Sequence, residues 1–510
     1  MRHTGFRAFR LAFSAALLGI LALPAASQAM DTFFVGPRAM GMAGANVASP
    51  VDTTAQYYNP AAFGFFSRTE TVVDEKGKKR ETRGQVDNNN IGRKDWGWDV
   101  ASVGGGLSLH KNLPELMDDI SEIDIDALQN GIDDYSKLSD LVSLANKLSL
   151  LEEPGNGLRA NMAGGTALRI MNFGLGVRAY GQGAGRVLDI DTEHFGLDMS
   201  TANYVNEIET MSIPGYAPTH QYSVFTPAQQ AELTAAYAGS DEAVRRLDYI
   251  AGLQGVAYGD ETTVALLTAA ADGSDDLSDN TTAVEVTAFG LTEVPFTFGY
   301  AFNDYFAVGG NLKAMVGRVY ATDIVVFKSE SSDIVSNMTE EYEQTLTWGL
   351  DLGAMARFRW VQLGIVGRNL NTPTFNGPTI TLADNSKKTF DDVKVKPQFA
   401  AGLAFIPWQT VTIEIDYDLT KNESQLEGYD TQYLRVGAEW DILRFLALRA
   451  GFYNNMAEDD IGLVYTAGLG LNLWAVRFDV GGAFSSETAT YDGRKYPKEA
   501  QVVAGLSIDF

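Results

Sequence analysis

The C-terminal third of the chain alternates between apolar and polar residues with a period of two. In the segment QTVTIEIDYDLT, Val411, Ile413 and Ile415 fall on one side of the alternation, while Glu414 and Asp416 fall on the other. Successive side chains of a β-strand point to opposite faces, so this pattern predicts a strand with one apolar and one polar face. Similar segments follow up to a last strand that ends on Phe510.

The polar faces of these predicted strands carry charges of both signs. If the apolar faces point outwards, the charged side chains line an interior that is either hydrated or plugged. The predicted interior residues are Glu414, Asp416, Asp418, Arg435, Glu439, Arg449, Arg477 and Asp479.

The connections between the predicted strands alternate between tight turns and longer polar loops. Trp360, Trp408, Trp440 and Trp474 all lie at the tight turns. Short turns on one side, long loops on the other and an aromatic girdle are typical of transmembrane β-barrels. The sequence therefore predicts an all-β transmembrane barrel of about 14 antiparallel strands, with a soluble sandwich left open as the alternative.

Composition excludes several classes of protein. The 510 residues include 39 basic and 65 acidic side chains, so nucleic acid is not an expected partner. The chain has no cysteine, which excludes disulfides and thiol chemistry. Residues 1–29 combine arginines, a short apolar run and a Ser27-Gln28-Ala29 site, which predicts a secretory signal peptide.

The stretch VGPRAMGMAGANVASPVDTTAQYYNPAAFGFF, residues 35–66, precedes the first predicted strand and resembles neither a strand nor a long helix. Its small residues allow close backbone packing, and Asn59-Pro60 is expected to turn the chain. Five aromatic residues within ten positions are costly to leave in water. We therefore predict a plug, called the hatch, within residues 30–96, and a barrel over residues 97–510.

Two insertions in the barrel have helical patterns, at about 111–155 and 184–280. The second contains Thr226-Pro227 followed by Gln229, a capping box with proline at the first helical position. Both insertions are predicted to be extracellular and to pack on each other or over the barrel mouth. They either cap the barrel or form an apolar entrance groove.

The segments GPRAMGMAGANVA and DTTAQYYNPAAF resemble the N-terminal hatch of FadL-type outer-membrane transporters. Later segments, EVPFTFGYAF, VGGNLKAM and LGIVGRNLNTPTF, are similar to a sibling group of FadL-like barrels, the barrel-type TraF conjugal transfer proteins. The resemblance implies a 14-stranded barrel, and hatch or gate roles for Arg38, Met40, Asn59, Pro60 and Phe63. Without cysteine, the chain cannot be the thioredoxin-like protein that shares the name TraF.

The resemblance also implies passive uptake of a hydrophobic small molecule, such as a fatty acid or an aromatic hydrocarbon, through a hatch-gated channel. The implied location is the outer membrane of a Gram-negative bacterium, with membrane lipid, lipopolysaccharide and the barrel assembly machinery as partners. The alternative is a non-transporting barrel that acts as a scaffold in a conjugation or secretion apparatus.

Motifs for catalysis are missing from the sequence. Only His110, His194 and His220 follow the predicted signal peptide, and they do not have the spacing of metal ligands. A G-x-S-x-G nucleophile elbow is also missing. We therefore expect no enzyme activity, no catalytic or metal-binding residues and no cofactor.

Overall fold

The computed structural model describes residues 30–66, 69–73, 79–83, 96–129, 131–195, 200–271, 280–325, 342–381, 387–443, 445–473 and 475–509. The predicted signal peptide lies outside these ranges, as do Trp474 and the terminal Phe510. Much of the connection between the hatch and the first barrel strand also lies outside them.

Fourteen antiparallel strands form one closed barrel, and this confirms the predicted fold class. In chain order they are β1 Trp96–His110, β2 Gly157–Ile170, β3 Phe173–Asp189, β4 Ala283–Ala301, β5 Phe306–Val325, β6 Tyr342–Arg357, β7 Val361–Arg368, β8 Gln398–Trp408, β9 Val411–Asp418, β10 Tyr433–Ile442, β11 Leu446–Asn455, β12 Val464–Leu473, β13 Val476–Ser485 and β14 Glu499–Asp509. Each strand pairs with its neighbours in sequence, and β14 pairs with β1 to close the barrel.

The two ends of the barrel differ in the length of their connections. At the short-turn end, a few residues join β2 to β3, β4 to β5, β6 to β7, β8 to β9, β10 to β11 and β12 to β13. The exposed side chains of Trp360, Trp408 and Trp440 lie at this end.

The long-loop end carries four small two-stranded sheets: Thr374–Phe375 with Val393–Lys394, Thr379–Thr381 with Lys387–Thr389, Asn422–Glu423 with Asp430–Thr431, and Thr488–Tyr491 with Arg494–Pro497. A fifth, Thr69–Val73 with Lys79–Arg83, lies between the hatch and β1.

The alternation in sequence matches the alternation in burial along the strands. In β9, Glu414 and Asp416 are buried inside the barrel, while Ile413 and Ile415 are exposed on its outer face. All eight predicted interior charges occupy the inward-facing positions of their strands.

The hatch fills the interior of the barrel. Its short helices are α1 Pro37–Gly41, α2 Ala55–Tyr58 and α3 Phe63–Phe66, with a 3₁₀ helix at Pro60–Ala62. Every residue from Met30 to Phe66 is buried or half-buried. The small residues of this segment allow that packing, because bulkier side chains would not fit between the hatch backbone and the wall.

Among the described residues, seven helices form a separate layer outside the lumen, called the helical domain. They are α4 Leu113–Glu122, α5 Ile125–Gln129, α6 Tyr135–Glu152, α7 Thr201–Thr210, α8 Pro227–Ala236, α9 Asp241–Leu253 and α10 Glu261–Ala271. The capping box at Thr226 and Gln229 is present. Helix α7 was not singled out by the sequence pattern.

The helices of the two insertions pack on each other, which is one of the two arrangements expected. Their hydrophobic core continues onto Leu158, Ala160 and Val286, which are outward-facing residues of β2 and β4. The helical domain is therefore attached to the outer wall of the barrel near its long-loop end. Within the described residues, no helix is long and apolar enough to cross a membrane.

A buried carboxylate organises the second insertion. Asp248 of α9 accepts hydrogen bonds from the backbone N–H groups of Ser223 (2.8 Å), Val224 (2.9 Å) and Phe225 (2.8 Å), and lies 2.8 Å from Nε2 of His220. Burial alone would raise the pKa of Asp248, but these hydrogen bonds lower it overall. The ionised carboxylate thus fixes the start of α8 against α9.

We expect Asp248→Asn to destabilise the helical domain by about 1–3 kcal/mol. The reason is that the amide group of asparagine would place its own N–H groups against the backbone N–H groups that the carboxylate binds. Because the pKa of Asp248 is lowered by folding, its contribution is present at neutral pH and is lost as the pH falls below about 4. Hydrogen exchange of α8 and α9 measures both effects. Equal protection in the variant and the parent at pH 7 would contradict this role.

We expect Gly468→Ala to loosen the hatch. A Cβ atom on Gly468 of β12 would lie 2.8 Å from the Cα atom of Gly41 in α1, a backbone clash that costs about 1–3 kcal/mol to relieve. Gly482→Ala is the matched control, because its Cβ would meet only a carbonyl oxygen at 3.4 Å. Limited proteolysis within residues 30–66 should increase for Gly468→Ala alone, and equal cleavage of both variants would refute the close approach.

Candidate functional site: the hatch and the lumen wall

Arg38 links the hatch to the barrel wall through a chain of buried charges. Its Nη2 lies 2.9 Å from Oε1 of Glu439, and Glu439 Oε2 lies 2.6 Å from Nε of Arg449. Nη1 of Arg449 in turn lies 2.6 Å from Oδ1 of Asp479. Arg38 also donates to the Oδ1 atom of Asn46 at 2.5 Å. Four of the predicted residues are therefore joined in one network.

Two other predicted carboxylates hold a bend of the hatch backbone. Asp416 Oδ2 accepts from the N–H groups of Asn46 (2.7 Å) and Val47 (2.9 Å). Glu414 Oε1 accepts from those of Ala48 (2.6 Å) and Ser49 (3.2 Å). Four consecutive peptide N–H groups therefore point at the wall of β9, and each of these buried donors finds a carboxylate acceptor there.

Asn59 and Pro60 form the turn that the sequence predicted. Asn59 is extended, as expected for a residue before proline, and its Oδ1 accepts from the N–H group of Ala61 at 3.1 Å. Its Nδ2 donates to the carbonyl oxygen of Val47 (3.0 Å) and to that of Ala354 in β6 (3.2 Å). One amide thus connects two parts of the hatch with the wall.

The apolar hatch residues pack against inward-facing side chains. Phe63 is fully buried with Ala307 and Met355, while Met40 packs with Tyr453 and Val503. The guanidinium of Arg357 lies 4.3 Å from the ring centroid of Phe65, and that of Arg169 lies 4.6 Å from Phe66. Arginines of the wall therefore stack on hatch aromatics.

The first residues of the hatch return over α2. The hydroxyl of Tyr57 accepts from the N–H group of Phe33 (2.8 Å), and that of Tyr58 accepts from the N–H group of Val35 (3.0 Å). Asp31 lies 2.6 Å from Nη2 of Arg159 in β2. The hatch is thus held at its beginning, its middle and its end.

The remaining predicted wall residues take different positions. Asp418 lies 2.6 Å from Nη1 of Arg435, whose Nη2 donates to Thr32 of the hatch at 2.9 Å. Arg477 of β13 is half-buried on the inward-facing side of its strand. The other seven predicted wall residues contact the hatch or support a residue that does.

Sequence analysis missed a second cluster of buried charges on the opposite side of the lumen. Lys313 of β5 lies 3.3 Å from Oε2 of Glu293 and 3.1 Å from Oδ1 of Asp351. Asp351 also accepts from Asn311, which donates to the backbone carbonyl of Gln56 in the hatch at 2.6 Å. The sequence signal was available, because Lys313 and Asp351 interrupt otherwise apolar strands.

Within the described residues, the hatch leaves little free space beside Phe33 and Tyr57 in the middle of the lumen. The cavity lined by Phe33, Tyr57 and Arg368 has a volume of about 10 Å³, about the room that one water molecule needs. A larger cavity of about 460 Å³ lies at the long-loop end, where Arg186, Glu285 and the loop residues 423–430 line it. Charged and apolar side chains both line it, so the lumen narrows from a partly polar mouth to a filled centre.

Ser108, His110 and Asp460 have the connectivity of a catalytic triad. Ser108 Oγ lies 2.8 Å from Nε2 of His110, and Nδ1 of His110 lies 3.2 Å from Asp460. Ser108 and His110 are buried, however, and the His110 ring packs on Tyr429 at 4.0 Å between centroids. The serine has no observed access for a substrate within the described structure, so we assign this group a structural role.

Comparison with known proteins places the chain in a family. The family model described as "F plasmid transfer operon, TraF, protein" matches residues 92–418, which is more than half of the chain. The chain belongs to this family. The predicted relationship to proteins of the TraF type is thereby confirmed.

Solved structures that match the chain include three membrane transport proteins or their homologues. The Ralstonia pickettii toluene transporter TbuX is 11% identical with a TM-score of 0.42, and the match covers 93% of this chain and 98% of that one. The Pseudomonas putida toluene transporter TodX is 9% identical (TM-score 0.42; 94% and 99% covered). A Pseudomonas aeruginosa FadL homologue is also 9% identical (TM-score 0.40; 96% and 100% covered). A search of curated proteins finds no match.

We expect Arg38→Met to destabilise the protein by about 3–5 kcal/mol, because it breaks a buried ion pair and leaves Asn46 without its donor. Arg245→Met is the matched control, since Arg245 pairs with Asp241 on the surface of the helical domain and should change little. Urea unfolding in detergent micelles measures both. Adding Glu439→Gln to Arg38→Met should cost less than the sum of the single changes, and strict additivity would refute the pair.

Proposed function

We propose that the chain is an outer-membrane channel for the passive uptake of a hydrophobic small molecule, and that the hatch gates it. The observation that carries the proposal is the hatch itself, which fills the lumen but is held there by reversible contacts. Hydrogen bonds and ion pairs to Glu414, Asp416 and Glu439 hold it, and all of these can exchange without breaking a covalent bond.

The outer surface supports placement in a membrane. Exposed apolar side chains such as Leu312, Leu352 and Ile413 cover the middle of the wall, and aromatic residues cluster at the short-turn end. An apolar outer band with aromatic girdles is what a bilayer requires of a barrel. In the proposed orientation, the short turns face the periplasm and the long loops and helical domain face the outside.

The cargo is proposed to be a fatty acid or an aromatic hydrocarbon. The cavity of about 460 Å³ at the long-loop end has charged side chains in its lining, and an apolar molecule gains little by burying its surface against paired charges. We therefore propose that the cargo enters from the membrane side or after a loop at this end rearranges. The hatch would have to move, since the space beside it is about 10 Å³.

We expect deletion of residues 31–66 to raise ion conductance and hydrocarbon flux in liposomes. Replacing Asn59 and Pro60 by alanine should raise both to a smaller extent, because it releases the bonds to Val47 and Ala354 while the other anchors remain. Asn146→Ala is the matched control, because Asn146 makes a similar amide bond to the backbone of Gln254 in the helical domain.

Unchanged permeability after deletion of the hatch would refute gating. Mass spectrometry of organic extracts from the purified protein tests the cargo. A specific apolar compound whose amount differs between the parent and the Asn59 and Pro60 variant supports uptake. A stoichiometric protein partner without any such compound would instead favour the scaffold function.

A further inference from the structure

A large apolar groove opens on the outer wall of the barrel, and its lining reaches Tyr180, which packs on Phe33 of the hatch. It has a volume of about 940 Å³ and runs across the six strands from β14 through β1 to β5. This volume is at the upper end of the range for ligand sites. The groove is not lined by any of the charged residues that hold the hatch.

The groove exists because several outward-facing positions have almost no side chain. Gly164 of β2 pairs directly with Ala179 of β3, and Gly105 of β1 lies one outward-facing position further along, opposite Met162. Val103 and Val502 project beside them and are 68% and 58% exposed. Small residues therefore form the floor of a depression, and exposed apolar side chains form its rim.

The helical domain borders the groove on the side of the long loops. Ala160 belongs to the core of that domain, and Met162, the next outward-facing residue of β2, lines the groove. On β4, likewise, Val286 belongs to the core of the helical domain, and Gly290, further along the same outward face, lines the groove. The groove therefore lies at the edge of the exposed apolar band, just below the helical domain.

One cation lies at the end of this apolar surface. On β5, the outward-facing Leu312 and Val316 are followed by Arg318, which lines the groove and is exposed. Its Nε donates to Oε1 of Gln344 at 2.9 Å, and its guanidinium lies 5.2 Å from the ring centroid of Tyr342. These contacts fix the position of the guanidinium, and its four other N–H groups are the donors with which arginine binds phosphate.

We propose that the groove binds lipid A of the outer leaflet, with an acyl chain on its glycine-rich floor and a phosphate group on Arg318. The inference rests on the membrane placement proposed above. A long apolar surface that ends in an arginine at the interface matches a molecule with acyl chains and an anionic headgroup. Because the groove opens on the outer wall, its occupant comes from the bilayer.

The test is native mass spectrometry of the full chain in a non-ionic detergent, with hexa-acylated bisphosphorylated lipid A or its dephosphorylated form as the probe. We expect one tightly held lipid A and weaker retention of the dephosphorylated form. Arg318→Gln should lower the retention of lipid A about fivefold and abolish the preference for phosphate. Arg359→Gln is its control, because Arg359 is also exposed but lies beside Trp360 at the short-turn end.

A second pair of variants tests the floor of the groove. Ala179→Leu should displace both forms of the lipid by filling the depression, whereas Ala314→Leu adds the same side chain to an exposed position of β5 outside the groove. The shift in electrophoretic mobility between unheated and heated samples shows whether each variant forms a folded barrel. If Ala179→Leu does not fold, Arg318→Gln decides the test alone.

Equal retention of lipid A by the parent and Arg318→Gln would overturn the proposal. Dimer formation that is lost in Ala179→Leu, or a cargo molecule that competes with lipid A for the groove, would also overturn it. None of these three results affects gating, which is measured by conductance after hatch deletion. Failure of the lipid site and failure of the proposed function are therefore distinguishable.

Discussion

The pairing of buried charges between the barrel wall and the hatch is the constraint on which the rest of the structure depends. A closed barrel with Glu414, Asp416 and Glu439 pointing inwards has carboxylates that need donors. Buried charges without partners are strongly destabilising. The hatch supplies these donors through its backbone N–H groups at residues 46–49 and through Arg38. The wall and the hatch are therefore two halves of one polar core.

This constraint also explains the composition of the hatch and of the wall it touches. Backbone groups can reach a carboxylate on the wall only if the two chains approach closely, and facing glycines such as Gly41 and Gly468 make that possible. A hatch held by many individually modest polar contacts is stable in place and yet can be released in parts. That combination suits the gating role that we propose.

The sequence predicted the fold and much of the hatch site, but not every contact. The period-two alternation and the alternating connections predicted about 14 strands and their inward faces, and the small and aromatic residues before the first strand predicted the hatch. The opposing cluster around Lys313 was not predicted, because Glu293, Lys313 and Asp351 lie on three different strands and only the closed barrel brings them together. The position of the helical domain was left open, since an amphipathic stripe shows that a helix must pack but not on which surface.

The sequence by itself determined the local properties: which segments form strands, which side chains face inwards, where Asn59-Pro60 turns the chain and where helices such as α8 begin. These follow from interactions between residues a few positions apart. Only the tertiary structure decided that Arg38 pairs with Glu439, that the helical domain packs on β2 and β4, and that small residues of neighbouring strands form one groove. Those contacts join residues that are distant along the chain, and they depend on the register of many strands and on the pairing of β14 with β1.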